Sequence, residues 1–395
     1  MLKKIILALF VVLSLGSCSK YQGVPQQYHS LLDAAIETAD QNAPEIEKAL
    51  KAAPKGQQEA VAFLIAYMPA HDLKTLSADF ILENTAYAFK AREQFAWAQE
   101  VPDSVFFNDV LPYASLNERR DNWRKDFYER FSEYVKDCQT MQAAIDSVNK
   151  NVRDELLVDY NTKREKPDQS PYESMEQNMA SCSGLSILLT DAFRAVGIPS
   201  RIGGTPNWHD KRGNHNWNEV WIDGEWYFTE YYPSGLNKSW FLADAGKAIP
   251  NNPEHAIYAS SWKPADTHFP LVWDMNIKYV HAKNVSDRYI QLYEAAEAAK
   301  KIAETHVRIK VMMFKDNVCT FQGDDRVAAN VDVFCGSDQM GGGRTAGPTQ
   351  DMNDVLEFVL EKNKTYHFNY TGESGLKSIK LAVKDQPQTL KLYYK

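Results

Sequence analysis

The stretch Gly213–Glu230, GNHNWNEVWIDGEWYFTE, limits the possible folds more tightly than any other part of the chain. Apolar and polar residues alternate on both sides of Asp223-Gly224, the dipeptide that favours a two-residue type I′ hairpin turn. Such a turn sets the register. Ile222 faces Glu225 and, counting outward, Trp217 faces Glu230. His215 lies two residues from Trp217 and points to the same face, so His215 and Glu230 are diagonal neighbours within reach of a long side chain. Two readings stand at this point. His215 is either a packed histidine in an aromatic sheet beside a surface glutamate, or an imidazole whose tautomer and charge a carboxylate holds.

Upstream lies ASCSGLSILLTDAFRAVGIPSR, residues 180–201. Leu185, Leu188, Leu189, Ala192 and Val196 recur at helical spacing and bury one face, while Gly197 and Pro199 stop the helix. Cys182 therefore sits at the helix N-terminus, where unpaired N–H groups and the dipole favour a thiolate and could also bind an oxyanion. The alternative is a buried structural cysteine, a common fate for free thiols.

These two stretches together resemble the transglutaminase-like core, a fold similar to papain's that is shared by transglutaminases, peptide N-glycanases and many bacterial proteins. The resemblance rests on a cysteine at the head of a helix, then Arg194, Ala195, Gly197, Ile198, Pro199 and Arg201, then a His-x-Trp-x-Glu-Val strand beginning at His215. It implies a triad of Cys182, His215 and Glu230, with glutamate where the family most often has aspartate followed by proline. It also implies acyl transfer on an amide of a peptide or protein. Hydrolysis is the expected outcome, protein cross-linking the alternative, and an inactive envelope protein that binds peptide or glycan the competing class.

Gln177 and Asn178, just before the cysteine, are candidates for an oxyanion amide or for capping residues. Trp208, His209, Trp217 and Trp240 are candidates for the substrate groove, as are Trp221 and Trp226; core packing is the other role open to the tryptophans, and loop exposure to His209. His255, His268, His281, His306 and His367 have no metal-ligand spacing, so neither a catalytic metal nor a cofactor is expected. The oligomeric state is left open by the sequence.

At 395 residues the chain is long enough for two or three domains, and its net charge of -8 argues against nucleic acid as a main partner. Residues 1–18 place two lysines before a short apolar run ending in Leu15-Gly16-Ser17-Cys18, which resembles the lipobox of bacterial lipoproteins. This implies export and a lipid anchor on Cys18 in the cell envelope. Residues 19–160 are expected to form a helical N-terminal region, broken at Pro54. Its clearest helix spans NERRDNWRKDFYERFSEYVKD, with Trp123, Phe127, Phe131 and Tyr134 as one buried stripe. His71-Asp72 reads as a turn or cap.

Residues 161–305 hold the transglutaminase-like α+β core. Residues 306–395 show six or seven short alternating segments, a β-sandwich similar in strand pattern to transthyretin-like or carboxypeptidase-regulatory-like domains, with Met340–Arg344 as a flexible connection between strands. Cys319 and Cys335 are either a disulfide or two unpaired thiols.

Overall fold

The computed structural model describes residues 20–301 and 305–395. The stretch read as a lipobox, with Cys18, lies outside the described residues. Among the described residues no helix is long and apolar enough to cross a membrane. The chain divides into two compact units, one ending at Leu82 and one running from Glu83 to Lys395.

The first unit is helical, with α1 (His29–Ala39), α2 (Ala43–Ala52), α3 (Gln58–Ala66) and the single turn α4 (Ala70–Leu73), which contains His71 and Asp72. The chain leaves helix between Ala52 and Gln58, around Pro54, because proline cannot continue the ladder. Leu32, Ile46, Val61 and Leu64 form its buried interior. The amide of Asn42 ties the turn together by donating to the carbonyls of Leu73 and Leu76 at 2.8 and 2.9 Å.

The second unit opens within α5 (Ala78–Gln94) and continues through α6 (Ala96–Gln99), α7 (Asp103–Asp109), α8 (Arg124–Val135) and α9 (Met141–Leu156). The helix expected from Asn117 begins only at Arg124. Before it, the buried Glu118 carboxylate accepts from the N–H groups of Ser115 and Leu116 and holds the chain in a turn. Trp123, Phe127 and Phe131 are buried as the stripe predicts, but Tyr134 is 37% exposed and donates its hydroxyl to Glu155. A phenol at the end of an apolar stripe keeps its polar tip at the rim.

Two arginines replace a backbone ladder around residues 109–114. Arg124 donates to the carbonyls of Val110, Leu111 and Pro112 and to that of Arg194. Arg194 donates to those of Asp109, Pro112, Ala114 and Ser200. Both guanidiniums are buried, and burial lowers both pKa values.

Next come β1 (Asp159–Tyr160), α10 (Pro171–Gln177), β2 (Met179–Ala180) and α11 (Cys182–Ala195). Ser181 caps α11, its hydroxyl accepting from the Gly184 N–H at 3.1 Å and donating to the Pro167 carbonyl at 2.5 Å. The helix ends at Gly197, which has φ +76° and would place a Cβ 2.6 Å from that of Ala98. Gly197→Ala is therefore expected to lower unfolding free energy by about 2–4 kcal/mol, from the left-handed penalty plus overpacking. A lower urea midpoint at unchanged slope would register it.

The core sheet is built from β3 (Ser200–Thr205), β4 (His215–Ile222), β5 (Glu225–Thr229), β6 (Tyr258–Ser261), β7 (Thr267–His268) and β8 (His281–Asn284). They lie in the order β5-β4-β3-β6-β8-β7, all antiparallel. Asp223 and Gly224 form the turn at φ 50° and 98°, and Ile222 pairs with Glu225. The alternation of β4 sends its residues to two different jobs. Asn216 and Asn218 meet α11, donating to the Ser183 hydroxyl and to the Ser186 carbonyl. His215, Trp217 and Glu219 take the other face, where Trp208, Phe228, Phe241 and Tyr289 pack around Trp217. That core also takes in residues near α12 (Leu242–Ala245) and in α13 (Ser286–Lys301).

The C-terminal strands are β9 (His306–Phe314), β10 (Asn330–Cys335), β11 (Asp338–Arg344), β12 (Leu356–Glu361), β13 (Thr365–Gly372), β14 (Gly375–Ala382) and β15 (Gln388–Tyr393). They form two sheets, β11-β10-β13-β14 and β12-β9-β15, and β15 runs parallel to β9. Ile309, Val311, Val331, Val333, Phe368 and Leu392 fill the space between them. The expected flexible connection at Met340–Arg344 is instead part of β11. Pairing with β10 supplies hydrogen bonds that outweigh the poor strand propensity of three glycines, and Gly343 gives Leu356 room to pack. Cys319 and Cys335 are free and half-buried, as is Cys138, so the disulfide alternative is not realised.

Candidate active site

Cys182 is the first residue of α11 and lines a groove of about 860 Å³ together with His215 and Glu230. At this position the N–H groups of Cys182 and Ser183 have no intrahelical acceptor and can serve a developing oxyanion, whereas that of Gly184 is taken by the Ser181 hydroxyl. His215 opens β4, and its buried Nε2 donates to Glu230 Oε1 at 2.9 Å. Glu230 follows the last residue of β5. Its other carboxylate oxygen accepts from the Ser239 hydroxyl, and its backbone carbonyl accepts from the Asn149 amide at 3.1 Å. Asn149 Oδ1 in turn accepts from the Thr229 hydroxyl, so α9 anchors the end of the strand that carries the carboxylate.

With Nε2 committed to Glu230, Nδ1 is the nitrogen left to serve Cys182; it is buried and has no partner in hydrogen-bond geometry. Trp240 and Phe241 close around the ring, with centroids 5.0 and 5.5 Å away. Burial works against the imidazolium, but its interactions with Cys182 and Glu230 outweigh it and push the His215 pKa up to about 10. A raised pKa stabilises the fold fully below the ordinary value near 6.5, and that contribution is lost as pH rises through about 10. Acyl transfer that uses imidazolium as the acid should thus decline on an alkaline limb near pH 10, and Glu230→Gln should move that limb to lower pH. A pH–rate profile of both proteins measures it.

Residues 129–231 match a family described as the transglutaminase-like superfamily. The chain carries a transglutaminase-like domain. A candidate cysteine protease from Cytophaga hutchinsonii is similar in structure at 14% identity, covering 36% of this chain and 48% of its own, with a TM-score of 0.28. Red sea bream transglutaminase is similar at 8% identity, covering 76% of this chain and 59% of its own, with a TM-score of 0.27. The chain spans about half to three fifths of the length of these two solved structures. No curated protein matches the sequence.

The other residues singled out from sequence separate cleanly within the transglutaminase-like domain. Gln177 and Asn178 do not line the groove. Gln177 accepts from the Glu165 N–H at 3.1 Å, and Asn178 caps α10 at φ 55° and donates to the Leu157 carbonyl. Their amides tie the end of α10 to Glu165 and Leu157, so of the two roles open to them from sequence it is the capping one that the structure shows. Trp240 and the buried Trp217 line the groove. Trp208 is buried behind them, stacked on Trp217 at 6.0 Å. Trp226 lies under the Arg201 guanidinium at 3.7 Å, opposite Trp221 in the hairpin.

His209 faces Asp244 at 3.6 Å, away from the groove lining. Among the described residues, His209, Asp210 and Asp244 are grouped closely enough to hold a metal ion. Arg212 pairs with Asp210 at 2.5 Å and with Asp244 at 2.7 Å, so a resident cation already answers both carboxylates.

Tyr160, Ser239 and Asp351 are among the groove residues that escaped the sequence reading. β1 pairs in parallel with β2, which sets Tyr160 beside Ala180, two residues before Cys182. The Tyr160 hydroxyl donates at 3.0 Å to Asp351, in the segment between β11 and β12. Burial, with Asp351 and Cys182 adding to it, drives the Tyr160 pKa far up, so the phenol keeps its proton. No local signal marks these three, since each is brought to the groove by a distant pairing or an irregular loop.

Proposed function

We propose that the transglutaminase-like domain performs thiol-dependent acyl transfer on an amide of a peptide or protein. Cys182 attacks the carbonyl carbon as thiolate, forming a C–S bond, while the backbone N–H at the helix start takes up the oxyanion charge. His215 gives its proton to the leaving nitrogen as the C–N bond breaks. In the hydrolytic outcome it then takes a proton from water, whose oxygen displaces the thiolate from the thioester. Glu230 holds the ring through both steps. The His215–Glu230 hydrogen bond of 2.9 Å, in the same groove as a helix-start thiol, carries this reading. A glutamate in place of the family's usual aspartate still reaches Nε2.

Hydrolysis is favoured over cross-linking in this proposal. The deciding experiment incubates a pool of defined peptides with the protein in ¹⁸O-water, with and without a primary amine. Hydrolysis puts ¹⁸O into new carboxyl groups, whereas cross-linking puts the amine there. If wild type and Cys182→Ala give the same products, the enzymatic reading fails.

The N-terminal segment is proposed to be lipidated at Cys18, tethering the protein in a bacterial cell envelope. Metabolic labelling with a fatty-acid probe should mark the wild type and spare Cys18→Ala.

A further inference from the structure

The groove does not belong to the transglutaminase-like domain alone. Arg308, Glu357 and Val359, on β9 and β12, form its opposite wall together with Val355, Leu356 and Arg344. The segment before β12 is held in place from two sides within the second unit. Buried Arg326 donates to the carbonyls of Asp351 and Asp354, while Tyr160 binds the Asp351 carboxylate and Arg212 donates to Asn353 Oδ1 at 3.2 Å.

The charges lining this groove are nearly all committed. Arg153 pairs with Asp159 at 2.8 Å and Arg308 with Glu357 at 2.6 Å. Glu230 has His215 and Ser239, Asp351 has Tyr160 and the Asn353 N–H, and Asp354 has the Gln350 amide at 2.6 Å. Arg344 differs. It is exposed, it donates to the neutral Asn330 Oδ1 at 3.3 Å, and no carboxylate among the described residues pairs with it. Beside it the wall is apolar: Leu356 packs over Gly343 and Val359 is 54% exposed. A wall of this kind suits an extended chain with an apolar stretch and one negative charge.

We infer that the C-terminal β-domain is the specificity wall of the active site, and that Arg344 selects peptides carrying a carboxylate near the amide presented to Cys182. This rests on the acyl-transfer reading. The carboxylate comes from a Glu or Asp side chain or from the peptide's own C-terminus, and both offer Arg344 the same two oxygens.

Iodoacetylated tripeptides test it without a known substrate, because the Cys182 thiolate displaces iodide and forms a stable C–S bond. One peptide carries Glu with an amidated C-terminus, one carries Gln with a free C-terminus, and one carries Gln with an amidated C-terminus. Each rate of Cys182 modification is divided by the iodoacetamide rate of the same protein. At least one carboxylate peptide should react about five-fold faster than the neutral one, the scale of a single partly exposed ion pair, and added salt should shrink the gap. The faster of the two identifies the source of the carboxylate. Arg344→Gln should bring the three rates together and Arg344→Lys should restore part of the preference. Equal rates in wild type, or a preference that survives Arg344→Gln, overturn the inference. If iodoacetamide itself reacts with Cys182 no faster than with free cysteine, the underlying acyl-transfer reading falls instead.

Discussion

Replacing His215 by alanine is expected to slow acyl transfer about a hundred- to ten-thousand-fold, the range for loss of a positioned general acid–base. The loss should fall on kcat more than on KM, because the ring acts on the reacting atoms and its removal leaves the far wall of the groove intact. Single-turnover kinetics would separate two defects, since without imidazolium the thiolate forms less readily and the leaving nitrogen must depart unprotonated. Glu230→Gln should be milder, because an amide still accepts from Nε2 yet no longer offsets its charge. A His215→Ala protein with wild-type rates would end the proposed mechanism.

The second large effect is structural. Glu219 is fully buried on β4, two strand positions past Trp217 on the face that carries His215. Its carboxylate accepts from Arg201 at 2.7 Å, from the Tyr289 hydroxyl at 2.7 Å and from Arg288. Burial alone would raise its pKa, but Arg288 and Arg201 overcome it and hold the value below the ordinary carboxylate range. Stability from this group is therefore present above about pH 4.5 and is lost as pH falls through the lowered value.

Glu219→Ala leaves Arg201 buried and Arg288 half-buried without their counter-charge, and is expected to cost about 3–5 kcal/mol. Denaturant unfolding measures this, and a loss under about 1 kcal/mol would mean that water or another acid replaces the carboxylate. Activity should fall with stability, since the same strand presents His215.

Much of this was legible because it is written locally. Asp223-Gly224 and the alternation around it specify a register that brings His215 and Glu230 together, and a capped apolar run places Cys182 at a helix start. Glu219 was equally visible as a letter of the same motif, but its role is set by Arg288, nearly seventy residues away, and no periodicity joins them. Gln177 and Asn178 were near Cys182 in sequence, yet the turn after α10 points their amides elsewhere. The β11 strand was hidden by its glycines, whose local preference loses to the ladder with β10. The far wall of the groove was invisible for the same reason, since it depends on two chain segments that meet only after folding.

The two arginines that serve the segment from Asp109 to Ala114 also bear on the order in which this protein assembles. Most donors for the carbonyls of that segment arrive from α8 and from α11, whose Arg124 and Arg194 are separated by 70 residues, and Asn84 of α5 adds one to Leu111. In the unfolded chain those carbonyls are hydrated, and they exchange water for guanidinium only when both helices have docked. Ordering of this loop is therefore expected to follow the docking of both helices, and its amide neighbours should gain protection from hydrogen exchange after those of α8 and α11 have done so.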